Sequence, residues 1–165
     1  MLFAQKIAPC LWFDSEAEEA VAFYMSIFAN SRLVQVSHYG KAGYEIHGRP
    51  AGSVMTVAFE LEGQALTALN GGPLFRFNEA ISLQVFCKTQ EEIDHYWNKL
   101  SAGGDKAAQQ CGWLKDKYSL SWQIIPAILL EMMASPNHEK SQRVMTSLLQ
   151  MQKLDIDGLK KAYEG

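Results

Sequence analysis

Cysteine is scarce, and what there is does not pair. Cys10, Cys87 and Cys111 are odd in number and contain no CxxC spacing, which argues against a disulfide framework. Clustered positive charge is missing as well. Fifteen Lys and Arg stand against 18 Asp and Glu, for a net charge of −3. The densest basic group, Lys115 with Lys117, is interrupted by Asp116. A surface that follows phosphates needs clustered cations, so no nucleic-acid partner is expected. Long apolar runs are absent too: "IIPAILLEMMA" is too short to span a bilayer and holds Pro126 and Glu131. The start, "MLFAQKIAPCLWF", has no basic opening, long apolar stretch or cleavage site. The expectation is a cytoplasmic chain with no membrane partner.

What is present is enough for one packed domain. The chain has 165 residues, 48% of them hydrophobic and 20% charged, a balance that favours a globular core over disorder. Ile7–Phe13 reads as a buried strand. Ser15 with Glu18 has the spacing of a capping box, and Ala17, Ala20, Val21, Tyr24, Ile27 and Phe28 recur at helical intervals, predicting a helix to about Ala29. Leu33–Tyr39 alternates as a strand does, Lys41–Gly52 reads as a loop, and Val54–Leu61 and Gln64–Leu69 read as strands joined at Glu62-Gly63. The order then restarts: a strand at Ile81–Cys87, a capping box at Thr89 and Glu92, and a helix with Ile93, Tyr96, Trp97 and Leu100. Strand-like segments follow at Gln109–Leu114 and Leu120–Ile125 around "KDKYS". The tail predicts helices over Ala127–Met133, the amphipathic "HEKSQRVMTSLLQMQKL" and Asp155–Tyr163.

The chain therefore repeats itself. "AEEAVAFY" (17–24) lies over "QEEIDHYW" (90–97), and "EGQALTAL" (62–69) over "YSLSWQII" (118–125). Each half reads strand, helix, then antiparallel strands. One such half leaves a sheet face bare; two can pair into a curved sheet with helices outside and a cup on the concave side.

The stretches "PCLWFDSEAEEAVAFYMSIF", "LNGGPLF", "CGWLKD" and "WQIIP" resemble the PhnB-like, 3-demethylubiquinone-9 3-methyltransferase-like group of the vicinal oxygen chelate (glyoxalase/bleomycin-resistance) superfamily. The resemblance covers nearly the whole chain in order. It implies an α+β fold of two βαβββ modules forming a curved mixed sheet, with C-terminal helices. The expected layout is a single domain, 1–165, with modules at 6–72 and 73–126 and a helical extension at 127–165. Such proteins are commonly homodimers, so a homodimer is expected here.

In metal-using members, ligands come from the first and last strand of each module. The corresponding places here are Pro9, Thr67, Ser82 and Gln123. Proline has no donor, and neutral hydroxyls are poor ligands for a divalent ion. A slip of one residue brings in Ala8, Cys10, Ala68, Ile81, Leu83, Trp122 or Ile124, none of which repairs the set. His38, His47, His95 and His138 read as surface residues. The expectation is no metal and no cofactor. The family label implies S-adenosylmethionine, yet the glycines of "LNGGP" are followed by Pro73 and "LFRF", not by a helix start that could receive a phosphate; it reads as the joint between the halves. Cys10 and Cys87 read as core, and Cys111 as an inert thiol.

If Ser82 and Gln123 face the cup, alternation sends Gln84, Phe86 and Ser121 there and turns Trp122 and Ile124 under the helices. Asn70, Phe75 and Phe77, in the joint, could form part of the rim or of the dimer contact. Thr67, Asn70, Ser82, Gln84, Phe86 and Gln123 are thus the ligand-binding candidates, a set suited to a small, partly apolar molecule; no catalytic residue is assigned. Three functions stay open: a metal-free small-molecule binder, a metal-independent enzyme such as the methyltransferase of the label, and a structural homodimer with a filled cup.

Overall fold

The computed structural model describes residues 5–165. Packing divides the chain into two compact units, one ending at Arg76 and the other running from Phe77 to Gly165. Both are mixed α+β, each with its own small mixed sheet, and the C-terminal helices belong to the second unit.

The first unit runs β1 (Cys10–Phe13), α1 (Ala17–Ile27), β2 (Ser31–His38), α2 (Tyr44–His47), β3 (Val54–Leu61) and β4 (Gln64–Asn70). Its sheet order is β1-β4-β3-β2, with β1 parallel to β4 and the other pairs antiparallel. The hairpin β3–β4 closes on Glu62 and Gly63, both at positive φ, the conformation a two-residue turn requires. Helix α1 packs on β3 and β4 and buries Ala17, Ala20, Val21, Tyr24 and Ile27, with Val57, Phe59, Leu66 and Ala68 buried along the two strands.

The predicted Ser15–Glu18 capping box does not form. Glu16 precedes the helix and no side chain from that turn caps it. The first N–H, that of Ala17, instead donates to Asn70 Oδ1 at 2.9 Å, 53 residues away. The strand expected from Ile7 begins only at Cys10, and the expected loop at 41–52 contains the short α2.

The second unit runs β5 (Leu83–Cys87), α3 (Gln90–Leu100), a 3-10 turn (Lys106–Ala108), β6 (Trp113–Lys115), β7 (Ser121–Pro126), α4 (Ala127–Met133), α5 (His138–Leu148) and α6 (Ile156–Glu164). The sheet order is β5-β7-β6, β5 parallel and β6 antiparallel to β7. The repeat is real: α1 and α3 start at the matched residues Ala17 and Gln90. It is shorter here by one strand, since only a 3-10 turn stands between α3 and β6 where the first unit has β2, and the strand expected from Gln109 begins only at Trp113. Cys111 and Gly112 are at positive φ, and their N–H groups donate to Met151 O and Gln152 O. The tail thus takes the hydrogen bonds that a longer strand would have given to a neighbour.

The Thr89 half of the expected Thr89–Glu92 box forms, while the Glu92 side chain reaches one residue further back. Thr89 Oγ1 accepts from Glu92 N at 3.3 Å, and the Glu92 carboxylate accepts from Lys88 N at 2.6 Å. Helix α3 buries Ile93, Trp97 and Leu100 against the sheet. Gly104 then passes so close to β6 that a Cβ would stand 1.9 Å from Lys115 O, so only glycine fits. The tail forms a second apolar cluster of Ile125, Leu129, Met132, Val144, Leu154 and Leu159. Gln90 ties it to α3, donating to Leu154 O and accepting from Ile156 N.

Candidate functional site

In the second unit, alternation along β5 and β7 sorts side chains onto two faces. Trp122 and Ile124 are buried beneath α3, as expected. Ser82, Gln84 and Phe86 with Ser121, Gln123 and Ile125 take the opposite face. The register sets Gln84 beside Gln123, and Gln123 beside Trp113 of β6. Gln123 Nε2 donates to Ser82 Oγ at 2.8 Å, and Gln84 Nε2 donates to Gln123 Oε1 at 3.3 Å. Three of the six candidates therefore form one row of neutral hydrogen bonds. Phe86 is next along β5 and remains 49% exposed, which is high for a strand phenylalanine.

At its Ile125 end this face runs into the apolar cluster of the tail. At the other end Lys115 stands opposite Ser121 and forms an ion pair with Glu79. Lys115 holds the Glu79 carboxyl below its ordinary range, chiefly through that hydrogen bond. Strands β5, β6 and β7 carry no His, Asp or Glu. What the face can do is grip neutral polar groups and an apolar ring; it offers no side chain of its own strands for moving a proton at neutral pH.

Thr67 and Asn70 belong to the first unit. Thr67 is half-buried on β4, beside Cys10 of β1 and Ala58 of β3. The rim role expected for Asn70 gives way to a structural one. Its side chain is buried, with Oδ1 accepting from Ala17 N and Nδ2 donating to Val54 O at 3.1 Å. Its carbonyl accepts from Tyr39 Oη at 2.7 Å. Asn70 ties three elements together and has little left for a ligand.

The glycines beside it are committed too. Gly71 N donates to Phe13 O and Gly72 N to Asp14 O, while Gly72 O accepts from Trp12 Nε1 at 2.8 Å. A Cβ on Gly71 would stand 2.3 Å from the Trp12 ring. The stretch is a seat for Trp12, whose ring also meets Phe75 edge-on at 4.9 Å. Its N–H groups are spoken for, so it does not fit the phosphate or cofactor cradle that the family label suggests.

The donor set does not fit a divalent metal either. β5 and β7 offer serine and glutamine, and β1 and β4 offer Cys10 and Thr67, with no carboxylate or imidazole in either pair. Among the described residues no group of three His, Cys, Asp or Glu is placed to hold a metal. Cys10, expected in the core, is exposed at the sheet margin; partial burial still raises its pKa. Cys87 is buried, and that burial, followed by the Glu92 charge, pushes its thiol up to about 12. Neither is an activated thiolate.

One functional-looking group was passed over in the sequence. Asp116 is 1% exposed. Its carboxylate accepts from Tyr118 N at 2.8 Å, Leu120 N at 3.1 Å and Trp122 Nε1 at 2.8 Å. The Asp-x-x-Ser turn pattern followed by a tryptophan was the available signal. The carboxylate holds the β6–β7 turn and the Trp122 ring in place, and its two oxygens are consumed in doing so.

Residues 5–125 match the 3-demethylubiquinone-9 3-methyltransferase family. The chain belongs to that family. A Bacillus cereus PhnB protein is 37% identical, covering 74% of this chain and 100% of its own, with a TM-score of 0.62. A Pseudomonas aeruginosa protein is 18% identical over 74% of this chain and 98% of its own, TM-score 0.55. The fosfomycin resistance protein FosX from Listeria monocytogenes is 18% identical over 80% and 98%, TM-score 0.52. The last two show likeness of fold alone. Comparison with curated proteins finds no match. This PhnB-like chain thus has the glyoxalase/bleomycin-resistance fold of the vicinal oxygen chelate superfamily. No helix among the described residues is long and apolar enough to cross a membrane.

Proposed function

We propose that this PhnB-like protein binds a small, partly apolar molecule without a catalytic metal, on the β5–β7 face opposite α3. The observation that carries the reading is the hydrogen-bonded row Ser82–Gln123–Gln84 beside the half-exposed Phe86. A neutral polar row next to an open aromatic ring is the mixture that small-molecule sites use for orientation and burial. Thr67 is the matching position on the closing strand of the first unit.

Methyl transfer, which the family name and the name of the Bacillus cereus protein bring to mind, is the weaker reading. Gly71 and Gly72 have their N–H groups donated to Phe13 O and Asp14 O, and the face lacks a base on its strands. We further propose that the chain works in the cytoplasm as one domain and as a homodimer. Leu74 and Phe75 of the first unit are 74% and 59% exposed, apolar side chains that a second copy would cover. Light scattering at micromolar concentration tests the dimer, and a monomer there rejects it.

The binding reading is tested by a thermal-shift screen of small aromatic molecules on the wild type, Phe86→Ala and Gln123→Ala. Hits should bind each variant roughly tenfold more weakly, the loss expected for a ring contact or a hydrogen bond. Unchanged affinity in both variants places the site elsewhere.

A further inference from the structure

On the same face, Ser121 has a buried hydroxyl that the fold does not use. It is 1% exposed, and among the described residues its Oγ has no hydrogen-bond partner. A buried polar atom left unpaired is uncommon and needs a reason. Its place in the sheet supplies one. β5 and β7 pair with Leu83 beside Trp122, so extending the register by one residue sets Ser82 beside Ser121. Lys115 stands on the far side of Ser121, on β6. The row is Ser82, Ser121, Lys115, one step from the row Gln84, Gln123, Trp113.

This row is rich in donors. Ser82 Oγ already accepts from Gln123, so its own proton is the part left to offer. Ser121 has its whole hydroxyl to offer. Neighbouring strands lie about 4.8 Å apart, and an O–H···O bond is about 2.7 Å long. One acceptor oxygen between the two hydroxyls would therefore meet both. Lys115 is already neutralised by Glu79, which favours an uncharged acceptor over an anion.

We propose that Ser121 is a ligand-binding residue of this face, and that its hydroxyl and that of Ser82 donate together to a carbonyl oxygen of the bound molecule. The ligand class is an aromatic or similarly flat apolar carbonyl compound, with its apolar part toward Phe86. The inference rests on the binding function proposed above.

The test uses the full chain and three probes: acetophenone, ethylbenzene, which has nearly the same shape without the oxygen, and benzoate. Affinities are read from amide NMR titrations. The wild type should prefer acetophenone to ethylbenzene by about tenfold, the worth of a good hydrogen bond. Ser121→Ala should erase that preference and leave ethylbenzene unchanged, while Phe86→Ala weakens both. Ser121→Ala should also keep or raise the unfolding midpoint, since it removes an unpaired hydroxyl; a lowered midpoint would mean the fold uses the group, and would overturn the assignment. A preference that survives in Ser121→Ala while Phe86→Ala still weakens binding sinks the role of Ser121 and leaves the binding face standing. Tighter binding of benzoate, lost in Lys115→Met, overturns the carbonyl in favour of a carboxylate. If no probe moves the resonances of Ser82–Phe86 or Ser121–Gln123, both proposals fail together.

Discussion

The two modules close their sheets with hairpins that solve one geometric problem in different ways. The β3–β4 hairpin turns on two exposed residues at positive φ, Glu62 and Gly63, and among the described residues Glu62 exchanges hydrogen bonds only with exposed Asn30. The β6–β7 hairpin uses a five-residue turn held by the buried carboxylate of Asp116. The helix starts differ in the opposite sense: α3 is capped by its own Thr89, and α1 by the distant Asn70. In each module one feature is exposed and the other buried, and only the Asn70 cap of the first reaches far along the chain. A repeated sequence plan thus does not imply repeated energetics. The cost of a change follows how many donors it strands out of reach of water.

The largest expected effect is at Asp116. Asp116→Ala would leave two backbone N–H groups and the Trp122 indole N–H without their acceptor, at a cost of about 3 kcal/mol or more. Urea unfolding followed by tryptophan fluorescence measures it. Glu62→Ala in the other hairpin should cost far less, and equal losses would break the contrast between the two turns.

Asn70→Ala comes next, at about 2 kcal/mol, because it strands Ala17 N and the Val54 carbonyl inside the first unit. Thr89→Ala, at an exposed cap, should cost about 1 kcal/mol. Thermal unfolding of the two variants ranks the distant cap against the local one, and a larger loss at Thr89 would reverse the ranking.

The smallest effect is at Glu79. Lys115 lowers its pKa, so the folded state favours the charged carboxylate. The stabilisation is therefore present above the ordinary value of 4.5 and disappears as the pH falls through the lower folded value. Glu79→Gln should have a slightly lower urea midpoint than the wild type at pH 7. The two should converge at acidic pH, and a gap that persists in acid would show that the ion pair is not its cause.

Much of this was legible in the chain. The strands Val54–Leu61 and Gln64–Leu69, the helix with Ile93, Tyr96, Trp97 and Leu100 and its Thr89 cap follow from alternation, helical spacing and local turn chemistry, each of which acts over a few residues. So did the face shared by Ser82, Gln84 and Gln123, since alternation along a strand is local. The Ser15–Glu18 pattern misled because a side chain 53 residues on from Ala17 took the same N–H. Asn70 resembled a rim residue for the same reason: its partners are distant in sequence. Cys10 resembled core because its neighbours are apolar, yet its strand begins there and the side chain lies at the sheet margin.

The sequence by itself determined the repeat, the family and the neutral character of the β5–β7 face, because residue type and short-range spacing decide all three. Tertiary structure alone decided which polar groups are already satisfied. It committed Asn70, Gly71 and Gly72 to holding the fold, and it left Ser121 without a partner. A hydrogen bond is a matter of distance and direction in space, and these partners meet only once the sheets are assembled.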